Sequence, residues 1–193
     1  MMHNLGVLIV SDSAKANEFF VSVAGGGMLA RPVFAAGCGE ARRRIAQQAY
    51  DLLVVNAPLR DEFGSEFAMQ ATGQGIGVIL LVKQELLDEV CEQVEAAGVY
   101  VVPKPLNRGL FLQAVRLVLA SQARLHGLQR KNDELRHRIE VIRLCDRAKC
   151  MLIQHLRMDE EDAHHFIEQQ AMHQRKSKEE VARDILRTYE EER

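Results

Sequence analysis

Four stretches in the N-terminal half of the chain are apolar without alternation: Val7-Leu8-Ile9-Val10, Leu52-Leu53-Val54-Val55, Val78-Ile79-Leu80-Leu81-Val82 and Val99-Tyr100-Val101-Val102. A strand with one wet face alternates apolar and polar side chains. Uninterrupted runs of this length therefore predict strands covered on both faces, as in a parallel sheet. The runs stop at Ser11-Asp12, at Asn56, at Lys83 and at Pro103-Lys104-Pro105. Helical patterns lie between them, among them Glu40 to Gln48 and Leu86 to Ala97, the second closed by Gly98. Alternating strand and helix predicts a doubly wound α/β domain over residues 1–120, with a five-stranded parallel sheet. A ligand site in such a domain belongs at the carboxyl ends of the strands, where Asp12, Asn56, Val82 and Lys104 converge.

After Gly109 the pattern turns helical, through Leu110, Val115, Val118 and Leu119. A heptad frame then fits Leu125, Leu128, Asn132, Leu135, Ile139 and Ile142. An Asn at a core position fixes register in two-stranded parallel coils, so residues 121–142 predict a coiled-coil linker helix and a homodimer. The flanking positions hold Arg124, Gln129, Lys131, Arg136, Arg138 and Arg143, and the five cations among them would face one another across a parallel seam. Gly127 also weakens the helix by about 1 kcal/mol relative to Ala. The alternative is one long helix whose seam packs on its own domain.

The long helix is predicted to end near Leu156. Asp159 is a good N-cap for a second helix with an apolar stripe of Ala163, Phe166, Ile167 and Ala171. Ser177 followed by Glu180 is a capping box that opens a third helix, burying Val181, Ala182, Ile185 and Leu186. Met172 is expected in the core. Residues 143–193 thus read as a small all-α, three-helix bundle.

Composition narrows the function. Apolar residues make up 47% of 193, enough for a core. Cys38, Cys91, Cys145 and Cys150 follow no metal or redox spacing. Cys145, Cys150 and His155 recur every five residues, a turn of about 140° per step, so they share no helix face. No metal and no cofactor is expected. No signal-peptide pattern or membrane-length run is present, which predicts a cytoplasmic protein with reduced thiols and no membrane contact. No nucleophile–base pair is evident, which argues against an enzyme. The absence of Trp argues against an aromatic stacking platform for nucleic acid. Net charge is −2, but unevenly spread: residues 121–150 hold eight Lys/Arg against four Asp/Glu, and residues 151–193 hold seven against eleven. The basic segment is either a solvated helix face or a surface for a polyanion.

The strand ends resemble the receiver domain of bacterial response regulators. That family has an acidic pair after the first strand, a phosphoacceptor Asp ending the third, a hydroxyl residue ending the fourth and Lys-Pro after the fifth. Gly64 and Lys104-Pro105 agree with the pattern, and the resemblance implies a cis bond at Lys104-Pro105. The acidic pair, however, is Ser11-Asp12, the phosphoacceptor position is Asn56 and the hydroxyl position is Val82. An amide is too poor a nucleophile to accept a phosphoryl group, and magnesium prefers anionic oxygens. The expectation is a degenerate pseudo-receiver in which Asp12 and Lys104 persist as a structural ion pair.

Ala148-Lys149, Ala163, Ala171-Met172 and Val181-Ala182 resemble, at matching intervals, the pattern of the ANTAR domain of bacterial transcription antitermination regulators. The pattern departs at Cys150 (often Gly), His164 (usually aromatic) and Glu168 (often basic). The resemblance implies binding of RNA hairpins in nascent transcripts, favouring antitermination. That requires cations for phosphate, and the candidates are Arg143, Arg147, Lys149, Arg175, Lys176 and Lys178. The last three lie in the turn into the third helix, whose N-terminus attracts phosphate. A regulatory protein partner or a ligand would then replace phosphorylation as the input. The acidic balance of the C-terminal segment, with His164 and Glu168, favours the alternative of a signalling adaptor working through protein contacts without RNA. A DNA-binding helix-turn-helix is a weaker third reading, for want of a recognition helix rich in Arg, Asn or Gln.

Overall fold

The computed structural model describes residues 5–25 and 32–190, which divide into two compact units, residues 1–126 and 127–193. The N-terminal unit contains β1 (Val7–Val10), α1 (Ala14–Ala24), β2 (Val33–Ala35), α2 (Cys38–Gln47), β3 (Leu52–Asn56), α3 (Ser65–Gly73), β4 (Gly77–Lys83), α4 (Leu87–Val94) and β5 (Tyr100–Lys104). The five strands form one parallel sheet in the order β2-β1-β3-β4-β5.

The uninterrupted apolar runs have a simple cause. Along β1, β3 and β4 alternate side chains enter two different cores. Leu8, Val10, Leu53, Val55, Val78, Leu80 and Val82 pack with residues of α2, α3 and α4. Val7, Ile9, Leu52, Val54, Ile79 and Leu81 pack with Phe20 of α1 and with Phe111, Ala114, Val115 and Val118. Both faces are dry, so neither parity tolerates a polar residue until the strand ends.

Two elements differ from expectation. The helix predicted over Leu86 to Ala97 is an α-helical stretch, Leu87–Val94, between tight 3₁₀ turns at Gln84–Leu86 and Glu95–Ala97. Gly98, at φ 79°, donates its N–H to Glu95 and so ends the element in a turn tighter than an α-helix makes. β2 has three residues on a sheet edge, too short to register as an apolar run. Pro103 lies within β5, where the opposite edge position spares it a second ladder. Gly64 is required: its φ is 102°, and a Cβ there would stand 2.8 Å from Val55 Cγ1.

A single helix, α5 (Arg108–Leu156), runs from the first unit into the second. The Asn107 side chain accepts from Leu110 N–H at 2.8 Å at its start. In the C-terminal unit, the end of α5 packs with α6 (Glu160–Gln174) and α7 (Lys178–Glu190). Their core is Ala148, Leu152, Ala163, Ile167, Ala171, Val181, Ala182, Ile185 and Leu186. Small residues let the three helices approach closely. The expected caps are in place: Asp159 accepts from Asp162 N–H at 2.8 Å, and Ser177 and Glu180 exchange backbone bonds at 3.2 and 2.7 Å. Met172 is not core but 77% exposed. Successive residues on a helix are about 100° apart, so burying Ala171 turns Met172 outward.

Candidate functional site

Two places carry chemistry. The first is at the carboxyl ends of the strands. Ser11 and Asn56 are the polar residues buried among those described. The Asn56 Nδ2 donates to Ser11 Oγ at 3.1 Å, and Asn56 Oδ1 accepts from Lys104 Nζ at 3.1 Å. Lys104 also donates to the Ala57 carbonyl, and Ser11 Oγ accepts from the Ser13 N–H at 3.3 Å. An ammonium can only donate, so its bond fixes which way the Asn56 amide faces. A polar chain of a hydroxyl, an amide and an ammonium thus links the ends of β1, β3 and β5.

Asp12 is not in that chain. Its Oδ2 pairs with Arg60 Nε at 3.1 Å, so the expected Asp12–Lys104 ion pair is absent. The loop after β3 brings in Arg60, a residue the strand pattern does not point to. Lys104 is left with neutral acceptors, and burial pushes its pKa down; the Lys83 charge acts in the same direction and Asp12 opposes. Val82 is wholly buried in the core shared with α2, α3 and α4 and does not line the site. Its neighbour Leu81 does. The peptide bonds Ala57-Pro58 and Lys104-Pro105 beside the site are both cis.

A cavity of about 460 Å³ opens over the strand ends, walled by Phe19, Phe20, Leu81 and Leu106 on its apolar side and by Asn56 and Lys104 on its polar side. Ser13, the N-cap of α1, accepts from Ala16 N–H and places the first turn of that helix along the cavity. The two phenylalanines were not singled out by sequence. Their signal is an adjacent aromatic pair on a helix that directly follows the first strand.

The second place is the surface of the C-terminal unit. Its candidate lysines are all met by carboxylates. Lys149 Nζ lies 2.9 Å from Asp146 and 3.3 Å from Glu160, and its side chain is only 16% exposed. Hydrogen bonding to Asp146 first, and to Glu160 as well, holds its ammonium above the usual lysine range. Lys176 pairs with Asp184 at 2.7 Å and Lys178 with Glu168 at 2.6 Å. Glu168 also stands 3.2 Å from His164 and 3.6 Å from His165, and the Lys178 bond is the main cause that lowers its pKa. Arg143, Arg147 and Arg175 are exposed, and Arg175 caps α6 with φ 53°. Lys176 and Lys178 share a shallow cavity of about 480 Å³ with Met172 and His165.

Residues 133–186 match the family model of the ANTAR domain. The C-terminal region is an ANTAR domain. The N-terminal unit has the receiver fold, shown by likeness to solved structures. The signal receiver domain of an HD domain-containing protein from Pseudomonas fluorescens superposes with TM-score 0.59 at 18% identity, over 66% of this chain and 95% of that one. A chemotaxis response regulator of Vibrio cholerae gives TM-score 0.54 at 20% identity, over 61% and 100%. A response regulator receiver domain protein from Methanospirillum hungatei gives 0.55 at 21%, over 63% and 98%. No curated protein matches the chain. No described helix is long and apolar enough to cross a membrane.

The ANTAR match takes in much of the heptad stripe. Leu125, Leu128, Leu135, Ile139 and Ile142 are between 49% and 59% exposed, and Asn132 is exposed among them. They do not pack into a core of the single chain.

Proposed function

We propose that this chain is an RNA-binding transcription antitermination regulator, dimeric through the α5 stripe, whose receiver unit does not use aspartyl phosphorylation. The ANTAR match over residues 133–186 carries the reading. The dimer is supported by five large apolar side chains left in water at heptad spacing, since such a stripe is stable only when covered. The division of the chain into a pseudo-receiver over 1–120, a linker over 121–142 and an RNA-binding module over 143–193 is part of the same reading.

Phosphorylation insensitivity is supported by the strand-end donor set. Asn56 offers an amide in place of a nucleophilic carboxylate. Asp12 is the one carboxylate lining the cavity, already paired with Arg60, and the remaining polar groups include two amines. That set does not fit a divalent cation, which wants several anionic oxygens. Input therefore comes from a ligand or a regulatory protein partner.

RNA would meet the ANTAR unit through Arg143, Arg147 and Arg175, with Arg147, Lys149, Lys176 and Lys178 exchanging their present partners for phosphates. The pairing of all three lysines is what favours the second reading, a signalling adaptor that works by protein contacts alone. A titration against hairpin RNA in low and moderate salt separates the two. The antiterminator gives an affinity that falls steeply with salt, and Arg143→Glu with Arg175→Glu lowers it by about ten-fold or more. No binding at low salt by the folded chain rejects RNA and leaves the adaptor.

A further inference from the structure

The cavity over the strand ends is lined by none of the candidate RNA contacts, and its chemistry is specific enough to name a ligand class. Its volume, about 460 Å³, lies within the range of small-molecule sites, roughly 300–1,000 Å³. One wall is apolar, built from Phe19, Phe20, Leu81 and Leu106. The polar floor is Asn56 and Lys104, with the buried Ser11 hydrogen-bonded to Asn56 behind it.

Charge decides what the polar end accepts. Asp12 is paired with Arg60, 3.1 Å away. Lys104 has no carboxylate partner: its ammonium carries three donors, of which the Asn56 and Ala57 oxygens take two. One donor and a whole positive charge are left in a partly desolvated place. Lys15 stands exposed on the cavity, and the first turn of α1 faces it with the positive end of the helix dipole. An anion is favoured on all three counts. A monoanion suits the single half-buried cation better than a dianion does, because the second charge would be desolvated without a partner. The aromatic and aliphatic wall asks for an apolar body of a few carbons beside that charge.

We propose that this cavity binds a small organic monocarboxylate with an apolar body, its carboxylate on Lys104 and its body against Phe19, Phe20 and Leu106. The inference stands on the strand-end geometry and is independent of RNA binding, although it gives the proposed regulator a chemical class of input.

The test uses the full chain and three probes at constant ionic strength: sodium phenylacetate, the neutral isostere phenylacetamide, and sodium acetate, which keeps the charge and lacks the body. Backbone amide shifts in NMR report both affinity and place. Phenylacetate is expected to saturate shifts at Ser13 to Phe20 and around Asn56, with phenylacetamide and acetate each weaker by about ten-fold or more. Lys104→Met is expected to cost a similar factor. Equal affinity for phenylacetate and phenylacetamide overturns the carboxylate assignment. So does the absence of saturable shifts at these residues up to about 10 mM phenylacetate, beyond the range of a specific small-molecule site. The three-probe comparison needs no variant, so it decides the matter even if Lys104→Met fails to fold.

Discussion

Lys104 in the receiver unit and Lys149 in the ANTAR unit both stand where a family pattern places a lysine, yet their surroundings are opposite. Lys104 is half-buried against an amide and a carbonyl, and its pKa is pushed down. Lys149 is covered by its own unit but clasped by Asp146 and Glu160, and its pKa is pushed up. The same division extends to their neighbours. The receiver cavity has a single carboxylate, Asp12, paired with Arg60 rather than with Lys104, while on the ANTAR surface Lys149, Lys176 and Lys178 are each matched with an acid. A motif position fixes which residue is present. What that residue's charge is available for depends on residues the motif does not contain.

The largest expected effect breaks this contrast on the ANTAR side. Glu168→Gln with Asp184→Asn frees Lys178 and Lys176 from their solvent-exposed carboxylate partners. Affinity for hairpin RNA is expected to rise about ten-fold, with a salt slope steeper by up to about 2. Unchanged affinity in a salt-titrated binding assay would mean that these lysines never meet phosphate.

A smaller effect sharpens the contrast through alkaline stability. For Lys104 the folded pKa lies below the unfolded value, so within that window the unfolded chain holds the proton and the folded chain does not. Its contribution to stability therefore rises as pH climbs toward 10.5. For Lys149 the folded pKa is the higher one, so its contribution is full below 10.5 and is lost as pH rises through the folded value. Melting curves between about pH 8 and 11 should show Lys104→Met removing a rise and Lys149→Met removing a fall. Slopes of the same sign in the two variants would contradict the assigned surroundings.

The smallest effect lies between the two regions. Gly127 sits within α5, and a Cβ there would meet nothing within 4 Å. Gly127→Ala should stabilise the helix by about 0.5–1 kcal/mol, read as a higher denaturation midpoint. A destabilised variant would show that the position is packed in solution.

These contrasts mark what a sequence can hold. The apolar runs of β1, β3 and β4 were legible because two dry sheet faces forbid polar residues at either parity, and the caps at Asp159, Ser177 and Glu180 were legible because their bonds span three residues. β2 was not, being three residues long on an edge. At the strand ends, Ser11, Asn56 and Lys104 could be brought together from the strand boundaries alone. Arg60 could not, since a loop delivers it to Asp12 across 48 positions. The acids beside the ANTAR lysines were equally hidden: Glu160, Glu168 and Asp184 reach them from 8 to 11 positions away, around turns. Met172 was misread because helical spacing says a side chain belongs to a stripe only when its neighbours leave it no other face.

The two borders of the sheet have a consequence for how copies of this chain can meet. A parallel sheet with free backbone at its margins is a template onto which a further strand, from any source, can zip. Here one margin is β2, three residues long, and the other is β5, interrupted by Pro103. The first offers too little ladder to grow on, and the second lacks a donor in its middle. The receiver unit is thereby guarded against fibril-like growth.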